Sequence, residues 1–295
     1  MWTTCLQVKG TTPLTRRGNG DAAMPHVLIT GAAGVLGSRL RRHMQALGWT
    51  LTLLDRATHG SEAIVTADLA EFHDDWARRF AGVDTVLHLA GDPRPHASWE
   101  SAVRNNIDAT HNVVEACCRG GVRRMVFASS NWVLAGHRVD TAPLQATTEP
   151  YPVNPYGVSK LAGERIGRAA SDHHALSFVA LRIGYCQHDD ANLPGPHMGW
   201  GLWGQRMWLS NRDLCQGFEK AVLAPDTLRF GVFNLVSNNR GMRWRIDDAA
   251  SVLGYVPMDS STPTETGQSA EETEAALHAR RLVETAETLV IRQRW

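Results

Sequence analysis

The stretch VLITGAAGVLGSRL, residues 27–40, sets Gly31, Gly34 and Gly37 between an apolar run and a helical pattern. Val27 to Ile29 read as a short buried strand. From Val35 onward the apolar positions Val35, Leu36, Leu40, Met44 and Leu47 recur at helical spacing. A strand, a glycine turn and a helix in that order predict a turn that cradles the pyrophosphate of a dinucleotide. Gly31 permits the tight turn, Gly34 lets backbone approach the phosphates, and Gly37 lets the helix lie against the strand. The helix N-terminus, with its unpaired N–H groups, then faces the anion. Ala33, Val35 and Leu36 share the turn and join the glycines as candidate cofactor-binding residues.

Strand and helix alternate outward from this turn. Residues 49–56 predict a second strand ending near Asp55, and residues 64–69 a third, ending in Asp68 and Leu69. A helix is expected over 71–80, a fourth strand over 83–91 and a longer helix over 99–119. A fifth strand follows over 123–130, a helix over 156–173 and a sixth strand over 176–184. This alternation predicts an α/β fold, a Rossmann-type doubly wound parallel sheet whose ligands bind beyond the carboxyl ends of its strands. After Gly184 the rhythm breaks into a loop rich in glycine, proline and tryptophan, then resumes with a helix at 211–225 and a strand at 230–237. Residues 24–184 therefore read as a dinucleotide-binding core. Residues 185–261 read as a small discontinuous substrate-binding lobe mixed with remaining core elements.

Bulk properties agree with a globular fold of this kind. The 295 residues are 43% hydrophobic and 20% charged, as expected of a globular domain. The net charge is zero, so no basic field points to nucleic acid or an anionic membrane. No apolar run reaches the roughly 18 residues of a membrane helix. The five cysteines show neither CxxC nor Cys/His ligand spacing, which predicts reduced thiols in a cytoplasmic protein and no bound metal. Residues 1–23 read as a disordered extension, a transit peptide being the other reading, and residues 262–295 as a polar linker followed by a C-terminal helix.

Two features carry the chemistry. Asp55 stands 18 residues after Gly37, where a carboxylate accepts hydrogen bonds from an adenosine ribose and repels a 2′-phosphate. NAD is therefore expected rather than NADP, although Arg56 beside it pulls the other way. Asp68 and Leu69 are candidates for the adenine. The second feature is YGVSK, with Tyr156 and Lys160 four apart on one helix face. A phenol with a pKa of about 10 is a weak base at neutral pH. A neighbouring ammonium and an oxidised nicotinamide both favour its phenolate, which suits Tyr156 to take a proton.

The run of TGAAGVLG, HLAG, NNIDATHNVVEA, FASSN, YGVSK and LRIG resembles the extended short-chain dehydrogenase/reductases over residues 25–255. The resemblance implies that Ser130 hydrogen-bonds the reacting oxygen, that Tyr156 exchanges the proton, and that Lys160 also holds the nicotinamide ribose. It adds Leu89, Ala90 and Gly91 to the cofactor side and makes Asn106 either a structural or a cofactor-proximal residue, while Ser129 reads as a strand-end cap. Within that group, RRMVFASSN, YGVSKLAGE, ALRIGYC and MWLSNRDLCQGFEKAVLAP are similar to the bacterial uronate dehydrogenases, which oxidise the C1 hydroxyl of a cyclic hexuronic acid to a lactone with NAD. By that likeness Ser130 and Asn131 meet sugar hydroxyls and Arg182 grips the substrate carboxylate, as a bidentate guanidinium can.

Three positions depart from the uronate dehydrogenase pattern. Trp132 replaces a histidine, Tyr185 a small hydroxyl residue, and Pro93 a serine. The substrate pocket is thus expected to be reshaped while the hydride-transfer apparatus is retained. Trp200, Trp203 and Trp208 read either as a sugar-stacking lid or as core. Other readings on the same scaffold are a nucleotide-sugar epimerase or dehydratase and an NAD-sensing regulator. A homodimer is expected from the helices around NNIDATHNVVEA and YGVSKLAGE.

Overall fold

The computed structural model describes residues 24–264 together with 274, 277, 278 and 281. The extension expected over 1–23 and most of the linker and C-terminal helix expected over 262–295 lie outside the described residues.

The opening motif folds as read, with β1 over His26–Thr30, the glycine turn, and α1 over Val35–Ala46. β2 (Thr50–Asp55) and β3 (Ile64–Thr66) follow. The helix expected over 71–80 is shorter, α2 spanning Asp74–Ala77 before a 3-10 turn to Phe80. β4 (Thr85–His88) precedes α3 (Trp99–Ala102), which runs through a π-helical stretch over Val103–Asp108 into α4 (Ala109–Gly120). β5 (Arg124–Ser130) leads into a 3-10 helix over Asn131–Val139 and then α5 (Pro155–His173). β6 (Ser177–Ile183), α6 (Gly201–Arg206), α7 (Asn211–Leu223) and β7 (Phe230–Leu235) complete the layers.

All seven strands are parallel, in the order β3-β2-β1-β4-β5-β6-β7. The direction of winding reverses between β1 and β4, which is where a doubly wound sheet opens its ligand crevice. Both faces are covered, so strand residues alternate between two apolar layers rather than between core and water. Val27 and Ile29 join the layer that includes Leu40 of α1 and Phe218 of α7, while Leu28 joins the opposite one with Val113 of α4. A third, smaller cluster of Leu134, Leu144, Trp203, Met207, Val236 and Trp244 lies around the segments after β5 and β6. Among the described residues no helix is long and apolar enough to cross a membrane.

Candidate active site

A cavity of about 770 Å³ runs along the C-terminal ends of the strands, within the size range of ligand clefts. Gly31 after β1, Asp55 at the end of β2, Asp68 after β3, Gly91 after β4, Ser130 at the end of β5 and Gly184 after β6 all line it.

Steric limits explain the turn. Gly31 adopts φ +70°, and a Cβ there would lie 2.7 Å from the Ala90 backbone nitrogen. A Cβ on Gly37 would lie 2.0 Å from the Gly31 carbonyl oxygen, so only glycine lets α1 start this close to β1. Gly34 is the N-cap of α1 and supplies no side-chain acceptor, and the first turn holds no acid. The leading N–H groups of α1 are therefore left for a ligand on the cavity side, the arrangement an anion requires. Asp55 Oδ2 accepts from the Ala33 amide at 2.9 Å and Oδ1 from the Ala57 amide at 3.1 Å. Each oxygen keeps acceptor capacity toward the cavity. An uncapped helix terminus and an acceptor-only carboxylate at the far wall fit the pyrophosphate and ribose of NAD.

Asp68 also lines the cavity but is tied to Arg104, at 3.0 and 3.3 Å, and that guanidinium lowers its pKa. Leu69, Leu89, Ala90, Val35 and Leu36 complete this half of the wall. Two of the expected cofactor contacts stand elsewhere. Ala33 acts through its amide on Asp55 and packs its methyl group on the core. Asn106 is buried below Gly91, accepting from the Asp92 amide at 2.7 Å and donating to the Asp92 carbonyl at 3.2 Å and Ser159 Oγ at 2.8 Å. Ser159 in turn donates to the Tyr156 carbonyl at 2.7 Å, so Asn106 braces the β4 loop against α5, and Asn105 is the residue that lines the cavity.

The other half of the cavity holds the reactive side chains. Asn154 caps α5 by accepting from the Gly157 amide at 2.7 Å, with Pro155 in the first turn, and this local signal sets Tyr156 at the helix start. Side chains on Gly163 and Gly167 would strike Phe127 and Phe178, so these glycines let α5 lie tight on the sheet. Lys160 is buried, its Nζ 5.2 Å from the Phe127 ring centroid and 5.6 Å from that of Tyr156. Burial pushes Tyr156 up to about 12, and the neighbouring Ser130 hydroxyl works against that rise. Burial pushes Lys160 down to about 8. Ser130 also caps the following 3-10 helix, accepting from the Trp132 amide at 3.2 Å.

Asn131, Trp132, Pro93 and Tyr185 line the same end. Asn131 is 2% exposed, and neither atom of its amide has a protein partner. Arg182 does not reach the cavity. It pairs with Ser129 in the β5–β6 register, and the pleat turns both toward α5. There Glu164 accepts from Arg182 Nε and Nη2, both at 2.9 Å, and from Ser129 Oγ at 2.6 Å. The expected carboxylate grip is thus replaced by an internal ion pair, and Ser129 serves that pair rather than a strand end. Of the tryptophans weighed as a lid, Trp200 lines the cavity while Trp203 and Trp208 are buried.

Sequence reading missed Glu164, although its spacing of four from Lys160 and eight from Tyr156 places it on the same stripe of α5. It also missed His96, Cys186 and His188, which reach the cavity from irregular segments with no periodic signal.

Known proteins share this arrangement. Residues 27–186 match the NAD dependent epimerase/dehydratase family. An NAD-dependent glucose-6-phosphate dehydrogenase of Haloferax volcanii is 39% identical over 256 residues, covering 80% of this chain and 94% of that protein. A uronate dehydrogenase of Pseudomonas putida is 34% identical over 258 residues, covering 85% of this chain and 89% of its own. Among solved structures, glucuronic acid dehydrogenase from Chromohalobacter salexigens is similar with a TM-score of 0.67 and 30% identity, covering 80% of this chain and 85% of that one. The matched region contains both the glycine turn and the Tyr156–Lys160 helix, and it accounts for over half of the 295 residues. On these grounds the chain belongs to the NAD-dependent epimerase/dehydratase family, the extended short-chain dehydrogenase/reductases, and is an NAD-dependent oxidoreductase.

Proposed function

We propose that the protein oxidises the C1 hydroxyl of a single free sugar to its lactone, with a hexuronate or a closely related cyclic aldose as substrate. The observation that carries this reading is that Ser130, Tyr156 and Lys160 line one end of a cavity shared with the glycine turn. The substrate class draws support from the relatives, which are named for glucose 6-phosphate and uronate, each one sugar unit.

When bound, NAD accepts the hydride from the carbon being oxidised. In this reading Ser130 holds the substrate hydroxyl and Tyr156 takes its proton. Burial, the largest influence on it, keeps the phenol neutral, at about 12. The ammonium of Lys160 then favours the phenolate, as a bound oxidised nicotinamide would. With burial lowering it only to about 8, Lys160 still carries its proton at neutral pH and can supply that charge. Asn131, with its buried and unpartnered amide, is assigned to a sugar hydroxyl.

The test is NADH absorbance on mixing the purified protein and NAD with glucuronate, galacturonate, glucose, glucose 6-phosphate, arabinose or UDP-glucuronate. Sustained NADH formation with a free sugar is expected. Interconversion of a nucleotide sugar with no net NADH would overturn the reading in favour of an epimerase.

A further inference from the structure

At the substrate end three tryptophans converge on one guanidinium. Arg138 is 6% exposed. Its Cζ lies 5.3 Å from the ring centroid of Trp132, 5.4 Å from that of Trp200 and 5.2 Å from that of Trp203, all within cation–π range. Trp132 and Trp200 line the cavity and meet edge-on, with centroids 5.0 Å apart and planes at 81°. Trp203 sits behind them, 4.6 Å from Trp244 in the smaller apolar cluster. The cation therefore links a buried anchor to two indoles at the cavity surface.

The backbone of Trp200 is the second observation. It adopts φ 69° and ψ 18°, the left-handed region, which an L-residue enters at a cost that glycine does not meet. Bulky residues hold such conformations where neighbours enforce them, and these sites cluster at ligand clamps. Here the indole is held by Arg138 and Trp132, and the neighbouring Gly199 amide donates to Tyr185 Oη at 3.4 Å. Tyr185 lines the cavity as well.

We propose that Trp132 and Trp200 form a platform for the C–H face of the substrate's sugar ring, with Arg138 as the positioning residue that fixes both indoles. This rests on the sugar dehydrogenase reading above. It makes ring stacking the main source of sugar affinity and charge on the sugar a secondary one. Arg182 is consistent with that order, since Glu164 occupies its guanidinium.

Wild-type protein is first assayed with NAD against glucuronate, glucose and glucose 6-phosphate. If none is oxidised, the dehydrogenase reading fails before the platform is tested. With an active sugar in hand, Trp200→Gly is expected to raise KM for every sugar used by about 3- to 10-fold, with kcat and the KM for NAD held within about twofold. Its melting temperature should stay within about 4 °C of wild type, because relief of the left-handed strain offsets the lost indole contacts. Arg138→Met should raise KM for charged and neutral sugars alike, and Arg138→Lys should recover most of the loss by keeping a cation over the rings. Trp200→Phe should recover most of the KM as well and keeps the test available if Arg138→Met does not fold. An unchanged KM in Trp200→Gly would overturn the platform. A loss in Arg138→Met confined to charged sugars would overturn it too, because Arg138 would then hold a substrate anion.

Discussion

Arg182→Met separates the two roles open to that arginine. In the fold its guanidinium and the Glu164 carboxylate are 3% and 4% exposed and joined by two hydrogen bonds of 2.9 Å. A further N–H reaches the Ala146 carbonyl at 3.1 Å. Removing the arginine leaves a buried carboxylate with Ser129 as its remaining side-chain donor. Breaking a buried pair on one side costs about 3–5 kcal/mol. In a domain of this size each kcal/mol lowers the melting temperature by about 2–4 °C, so the expected drop is about 6–20 °C. The stranded carboxyl escapes part of the cost by taking a proton, which makes the loss smaller at about pH 5 than at about pH 8. Replacing both partners by apolar groups in Glu164→Leu/Arg182→Met should recover most of it, less about 1–3 kcal/mol for the unpaired Ser129 hydroxyl. Scanning calorimetry gives the stabilities, and initial rates give the ratio of KM for glucuronate to KM for glucose, which should match wild type. An unchanged melting temperature together with a KM rise of about 30-fold or more for glucuronate alone would refute this reasoning and return Arg182 to the substrate carboxylate.

Three further outcomes follow from the same geometry. Tyr156→Phe should lower kcat by about 10²- to 10⁴-fold while titration calorimetry still detects NAD binding; near-normal turnover would remove the phenol from proton transfer. Asp55→Ala should weaken NAD binding by about 10- to 100-fold and narrow its preference over NADP, since the charged acceptor that also orders the Ala33 amide is lost; fluorescence titration with both cofactors checks this. His88 is buried between Thr30 Oγ1 at 2.7 Å and Thr110 Oγ1 at 3.1 Å, and burial pushes its pKa down from 6.5 to about 3. The fold holds the neutral ring and the unfolded chain takes the proton. The stability His88 confers is therefore complete above pH 6.5 and is lost as pH falls toward 3, with a slope of about 1.4 kcal/mol per pH unit. Urea denaturation from about pH 7 to pH 4 should show that slope, and His88→Gln should flatten it.

The glycine turn, the alternation of strand and helix, and the Tyr156–Lys160 pair were legible in the chain because each depends on local rules. Gly31 and Gly37 answer to backbone geometry within one turn. Strand and helix periodicity answer to which face is buried. Asn154 and Pro155 mark where α5 begins, which fixes Tyr156 in its first turn. These local signals sufficed for the parallel sheet, the cofactor and the reaction class. Arg182 was another matter, because its fate depends on a register. Once β5 and β6 pair Ser129 with Arg182, both side chains point toward α5, and Glu164 is there to meet them. Asn106 was likewise diverted by the loop after β4, which brought Asp92 to it from 14 residues away. Arg138 and Trp200 are 62 positions apart and meet only because the segments after β5 and β6 close over the same cavity. Charge pairing and ring packing at such separations are governed by side chains that no local pattern relates, so where the sugar lies is a property of the folded chain.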